Sequence, residues 1–283
     1  FIVDSGTDTI VDLIGTDIIN VFAGSIASAS VTTGNNLTLS NASSNAGSLT
    51  INAAGGNGQT IDVTNLQGAN GATLNANGTS KALSGSAQAD TLNGGAGNDF
   101  LTGADGNDIL TSGGGQLDAL TGGLGADTMN AGANLDIFSI TSTNDTAALN
   151  ALGRGGTSAA LGFDVIQGVA AGDQVRLLAA IGYTSGGNGG AADNKFEIIE
   201  NLAALGNAAM TVVANGTSLA RGTYNVGAQT FTQSNTGTDS ILFYDANPLL
   251  AITDYRAIVF EEFVLSLNTS ITAANNQITI AIG

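Results

Sequence analysis

Six aspartates in the first half of the chain keep almost constant spacing: Asp90, Asp99, Asp108, Asp118, Asp127 and Asp136 are nine residues apart except for one step of ten. Two residues after each stands one large apolar side chain, Leu92, Leu101, Leu110, Leu120, Met129 and Phe138. Glycines precede the aspartates, most completely in Gly94-Gly-Ala-Gly-Asn-Asp-Phe-Leu-Thr102, a Gly-Gly-x-Gly-x-Asp-x-apolar-x nonapeptide. Carboxylates and outward-pointing glycine carbonyls are hard oxygen donors, of which Ca²⁺ collects six to eight. If two nonapeptides make one coil, turns two units apart stack. Asp90, Asp108 and Asp127 then share one column, and Asp99, Asp118 and Asp136 the other. Without a cation each column is a ladder of repelling charges. Calcium turns that repulsion into a bridge, so ion binding and folding become one event.

The elements that must position these oxygens follow from the period. A fixed short repeat marks a solenoid, here an all-β, calcium-binding parallel β-roll. Each unit is a tight glycine turn followed by a very short strand whose apolar residue points inward. The units at Gly94 to Thr102 and Gly122 to Asn130 satisfy every motif position. In the unit from Gly103, Ala104 replaces the second glycine and Asp105 adds a carboxylate. The unit from Gly113 has Gln116 where a glycine belongs, and Ser112 reads as the inserted tenth residue. Besides the aspartates, the candidate metal-site residues are Gly94, Gly95, Gly97, Gly103, Gly106, Gly113, Gly114, Gly122, Gly123 and Gly125. About four to six ions are expected if each is shared by two turns of one column.

The run from Leu92 to Phe138 resembles the repeats-in-toxin (RTX), or haemolysin-type calcium-binding, family. That resemblance implies export by a type I secretion system of a Gram-negative bacterium, with folding outside the cell in millimolar calcium. The flanks resemble the family too. Asp8 and Asp17 near the start, and Asp164 and Asp173 after the roll, are each nine apart and followed two residues later by Ile or Val. They are further candidate calcium ligands in degenerate coils, or else ordinary turn aspartates.

Composition narrows the function. The net charge of −17, from 23 acids against 6 bases, argues against nucleic acid, whose backbone requires Lys/Arg clusters. It argues equally against an anionic membrane surface. With 41 glycines, one proline and no tryptophan, many short strands and turns suit the chain better than long helices. Absence of cysteine excludes a disulfide staple, which points to metal in that role. Absence of histidine and cysteine removes the usual general base, the thiol nucleophile and the common transition-metal ligands. Glu261 and Glu262 read as a solvated strand end, and no enzyme activity is expected.

Upstream, strand-like pieces recur at Leu37, Leu49, Ile61, Leu74 and Leu83, spaced by twelve, twelve, thirteen and nine residues. Residues 1–83 therefore read as calcium-poor solenoid tightening into the roll at 84–139, although a separate antiparallel sandwich fits the same alternation. Residues 140–283 read as a β-rich C-terminal cap and secretion region, with strands around 211–213, 222–226, 230–232, 239–245, 257–260 and 277–282. Segments 146–152 and 201–206 suit short helices or loops, and 185–190 a flexible insertion. Beginning at Phe1 inside a strand-like stretch, with no basic-plus-apolar leader, the chain is expected to be the C-terminal piece of a longer polypeptide.

The Ala/Thr/Asn/Gly-rich, lysine-poor composition outside the repeats resembles calcium-dependent bacterial surface-layer proteins. The resulting expectation is a secreted, self-assembling coat on the cell surface. Its partners would be other copies of itself, the type I machinery and a cell-surface glycan. Two readings stay open beside it: the secretion and folding module of an extracellular hydrolase, and the terminal domain of an adhesin.

Overall fold

One inward apolar residue per short strand cannot bury itself; it needs its equivalents in the coils on either side and in the opposite wall. In the computed structural model this stacking runs through residues 1–139, one compact unit, while residues 140–283 form a second. The structure describes residues 1–31, 34–53, 56–140 and, beyond them, 164–170, 173–178, 196–198, 217–225, 230–233, 238–245, 255–260, 270–274 and 277–281.

The first four coils have three walls. They comprise β1 (Ile2–Val3), β2 (Thr7–Leu13) and β3 (Gly15–Asp17); β4 (Asn20–Val21), β5 (Ile26–Val31) and β6 (Leu37–Leu39). Next come β7 (Ser44–Asn45), β8 (Ser48–Ala53) and β9 (Gln59–Asp62); then β10 (Gln67–Gly68), β11 (Ala72–Ala76) and β12 (Lys81–Ser84). The short wall β1-β4-β7-β10 ends there. Three two-walled coils follow: β13 (Thr91–Asn93) with β14 (Phe100–Asp105), β15 (Ile109–Thr111) with β16 (Leu117–Leu124), and β17 (Thr128–Asn130) with β18 (Leu135–Ile140).

Every pairing between coils is parallel, and the register passes unbroken from one architecture to the other. Ala29, Ile51 and Leu74 are successive partners, as are Leu74, Leu92, Leu110 and Met129. In the facing wall Ile61, Leu83, Leu101, Leu120 and Phe138 line up in the same way. From Ala29 to Leu74 a coil takes 22 or 23 residues and from Leu74 to Met129, beyond the third wall, 18 or 19, although the first three-walled coil, Ile2 to Asn20, also takes 18. Leu92, Leu101, Leu110, Leu120, Met129 and Phe138 are all buried, at 1% exposure or less. The expected inward column is thus observed. The antiparallel sandwich open for the upstream segment does not form; parallel coils take its place, because neighbouring Leu and Ile positions bury each other only in register.

The second unit contains β19 (Asp164–Gln167), β20 (Gln174–Leu178), β21 (Phe196–Ile198), β22 (Thr217–Asn225), β23 (Thr230–Gln233), β24 (Asp239–Asp245), β25 (Tyr255–Phe260), β26 (Ser270–Ala274) and β27 (Gln277–Ala281). β24 is antiparallel to both β22 and β25, and β23 adds antiparallel to β22. β21 and β19 join in parallel, to β22 and β25 respectively. β20, β27 and β26 form an antiparallel set. The expected strands at 222–226, 230–232, 239–245, 257–260 and 277–282 fall on β22 to β25 and β27. Those at 211–213, and the segments 146–152, 185–190 and 201–206, lie outside the described residues. Among the described residues there is no helix, and none long and apolar enough to cross a membrane.

Candidate metal centre

The parallel register delivers the aspartates to two buried columns, one at the start of each wall's strands. In the first, the Asp90 amide donates to Asp108 Oδ1 at 2.7 Å and the Asp108 amide to Asp127 Oδ1 at 2.9 Å. In the second, the Lys81 amide donates to Asp99 Oδ1 and the Asp99 amide to Asp118 Oδ1, both at 2.7 Å. One oxygen of each carboxylate thus stitches its own coil to the one before. The other oxygen differs: Oδ2 of Asp99, Asp108 and Asp118 is buried and has no hydrogen-bond partner. A buried anionic oxygen with no donor is costly, and a cation is what such an oxygen lacks.

Glycine makes room for this arrangement. A Cβ on Gly103 would collide with Asp108 Oδ2 and the Gly122 carbonyl, and one on Gly94 would lie 2.9 Å from Asp99 Oδ2 and against the Ser112 carbonyl. Asp99, Asp108 and Asp127 therefore fold back over the first glycine of their own turns. Along the solenoid axis, the carbonyls of Gly95, Ala104 and Gly106 face the α-carbons of Gly113, Gly123 and Gly125. Gly95 takes φ 85°, and Ala104, at the equivalent position, takes φ 86°. Alanine in this left-handed region is strained, so the turn geometry overrides local preference there.

The donor set suits calcium. No three carboxylates among the described residues come together as a metal cluster, so an ion here must also draw on backbone carbonyls. Asp99 and Asp118 in one column, and Asp108 in the other, each with the glycine-turn carbonyls of adjacent coils, would hold such ions. When bound, calcium supplies the positive charge that the buried oxygens lack. Electrostatics agree: burial, opposed by the Lys81 amide bond and reinforced by Asp118, raises Asp99 from 3.8 to about 6. Burial raises Asp108 to about 8, with Asp127, Asp90 and Asp105 adding to the shift and the amide of Asp90 opposing it. Asp90 and Asp118 are also raised, mainly by burial.

The units are not equivalent. Asp90 is buried, but both its oxygens are satisfied: Oδ1 by the Ala72 amide, Oδ2 by the Ser86 amide at 2.6 Å and hydroxyl at 2.8 Å. It closes its column with protein donors. Asp136 is likewise buried, and its Oδ2 accepts from the Gly132 amide at 2.9 Å. Asp105 is exposed at the end of β14, outside the column, although its charge is felt at Asp108.

The inserted residue is not Ser112. Ser112 is buried beneath Gly94, Gly113 stacks on Gly95, Gly114 bridges Ala96, and Gly115 stacks on Gly97. The extra residue is absorbed at Gln116 and Leu117, whose amides both point at Asn98 Oδ1, at 2.9 and 3.3 Å. Gln116 therefore fills no glycine position; Ser112 to Gly115 supply four small residues in the right order.

Asp8 and Asp17 do not join the columns. Asp8 is exposed, and its register partner in the next coil is Ala27. Asp17 Oδ2 accepts from the Ile14 amide at 3.1 Å, an ordinary turn contact. Asp164 and Asp173 are buried in the second unit, where Asp173 Oδ2 accepts from the Ala170 amide at 2.8 Å. Sequence reasoning missed Ser86 and Lys81, took Ser112 for an insertion, and also missed Asp239, which is buried in the second unit. Lys81 carried a signal in hindsight of spacing alone, since it stands eighteen residues before Asp99.

Residues 84–116 and 112–138 match the family model of the RTX calcium-binding nonapeptide repeat (four copies). No curated protein matches the chain.

Proposed function

We propose that this chain is the calcium-dependent structural module of a secreted, self-assembling bacterial coat. The RTX calcium-binding repeats over 84–138 support a calcium-dependent structural role in a secreted protein. The observation that carries the metal part is the set of buried, partnerless Oδ2 atoms on Asp99, Asp108 and Asp118. They make the closed roll unfavourable until a cation joins it, so the chain stays open in the low calcium of the cytosol and threads through a type I exporter. Outside, ion binding closes the coils. The coat reading is supported by the upstream coils, which prolong the same two walls through residues 1–84 as solenoid. With neither histidine nor cysteine available, the chain acts as architecture and not as an enzyme. Its partners are further copies of itself, through strand edges, with a surface glycan as the anchor. The test is light scattering and electron microscopy of purified protein with and without millimolar calcium. Ordered assemblies only with calcium are expected. A folded monomer in calcium would overturn the coat and leave the secretion module of a hydrolase as the reading.

A further inference from the structure

Lys81 is the residue that the metal columns leave unexplained. It is 2% exposed, among the largest fully buried side chains, in a chain with only 6 basic residues. Its backbone stands in the aspartate column. Ala82 pairs with Phe100 and Phe100 with Ala119, which puts Lys81 in line with Asp99 and Asp118. Its amide donates to Asp99 Oδ1 at 2.7 Å, the link that the Asp99 amide repeats to Asp118. Gly97, two residues before Asp99, is packed so closely on Thr79, two before Lys81, that a Cβ would lie 2.6 Å from the Thr79 carbonyl carbon.

The side chain does what no other in the column can. Its ammonium donates to the Gly56 carbonyl, to Thr79 Oγ1 at 2.5 Å and to the Thr79 carbonyl at 3.3 Å. Gly56 belongs to the turn before β9 and Thr79 to the turn before β12, so oxygens of two successive turns converge on one positive charge. Three donors meet three acceptors, which is how a buried ammonium becomes tolerable. At the opposite end of the same column, Asn134 Nδ2 donates to the Gly115 carbonyl at 2.6 Å, another protein donor between stacked turns.

We propose that Lys81 is a tethered cation: its ammonium fills an oxygen site between the β9 and β12 turns that a calcium ion would otherwise take, and so sets the N-terminal limit of the metal ladder. Residues 56–84 then close without calcium, and the roll grows from an edge that is already ordered.

The inference rests on calcium binding by the columns, and the experiment separates the two. Native mass spectrometry of the full chain in calcium counts ions, while hydrogen exchange in calcium and in chelator follows β9 and β12. A wild type that binds no calcium defeats the metal reading itself. The inference has its own readouts. Wild-type β9 and β12 should stay protected in chelator while β14 to β17 lose protection. Lys81→Asp should bind one more calcium than wild type, and its β9 and β12 should become protected only when calcium is present. Lys81→Met, which supplies neither charge nor ligand, should lose that protection in both conditions with no gain in ion count. The idea is overturned if wild-type β9 and β12 open in chelator together with the roll. It is equally overturned if Lys81→Asp binds no additional ion, or if its β9 and β12 remain open in millimolar calcium.

Discussion

The three-walled coils before Gly85 and the two-walled coils after it share walls, register and apolar column, yet they satisfy their corners in opposite ways. Upstream, neutral amides bridge the coils. Gln59 Nε2 donates to the Asn35 carbonyl at 3.0 Å, Asn65 Nδ2 to Leu39 at 3.2 Å and Asn70 Nδ2 to Gly47 at 2.8 Å. An amide side chain offers donors as well as an acceptor, so it can answer a carbonyl directly. An ionised aspartate offers only acceptors, and in the roll it is stacked among further carbonyl oxygens. Among the described upstream corners, these carbonyls are answered by protein donors, and Ser25 Oγ is a buried oxygen left without one. In the roll, Asp99, Asp108 and Asp118 each keep one buried oxygen that no protein donor answers.

Chelation should divide the two regions most sharply. Removing calcium should abolish exchange protection in β13 to β17 while leaving β5 to β9 protected; equal loss in both halves would end the distinction. Almost as large is Leu110→Asp, which puts an unpaired charge among Leu92 and Met129. That substitution should cost on the order of 5 kcal/mol and prevent calcium-driven folding, read as a missing β signal in circular dichroism. A roll that still folds would mean the apolar column is not what closes it.

Acid should act in opposite directions with and without the ion. In chelator, Asp99 and Asp108 have folded-state values of about 6 and about 8, above their ordinary 3.8. Protonation then favours the folded roll: this contribution is complete below pH 3.8 and is lost as pH rises through 6 and 8. In calcium, protons compete with the ion for the same oxygens, so acidification should unfold the roll instead. Melting curves at several pH values, run in both conditions, check the crossing; parallel trends would refute it.

Smaller effects sharpen the contrast. Asp108→Asn should lower calcium affinity by tenfold or more, an order-of-magnitude expectation for one lost carboxylate ligand, in isothermal titration. The comparison is Asp62→Asn upstream. Asp62 only accepts from the Thr64 amide at 3.0 Å and hydroxyl at 2.6 Å, so this change should leave affinity unaltered. Least of all, Ala104→Gly should relieve the left-handed alanine and raise the stability of the calcium-bound roll by about 1 kcal/mol in denaturant titration. A loss of stability would show that the turn is not strained.

Much of this was legible from spacing. An apolar residue and an aspartate held in phase through six units fix strand, turn and face together, because a parallel coil buries one wall position per repeat. The shift from steps of twelve to steps of nine already marked the change of coil, without revealing that it was the loss of a wall. Position within a turn was less legible. Ser112 and Gln116 both break the motif, and only the stacking of Gly113 on Gly95 shows which of them is accommodated. Asp8 and Asp17 carry the right spacing, but their register partners in the next coil are Ala27 and Leu39, neither of them acidic.

By itself, then, the sequence determined the solenoid, its inward column and the oxygen chemistry of residues 90–136, since all three depend on residue type at a short fixed period. Tertiary structure alone decided which carboxylates need an ion. Asp90 and Asp108 are the same residue in the same motif position, both buried. Ser86 answers the second oxygen of one, and nothing in the protein answers that of the other. The same is true of Lys81, whose charge acquires meaning only when the Gly56 and Thr79 turns, 23 residues apart, are stacked around it. Whether a buried oxygen finds a donor depends on what the adjacent coil places beside it, and the period of a sequence does not specify that.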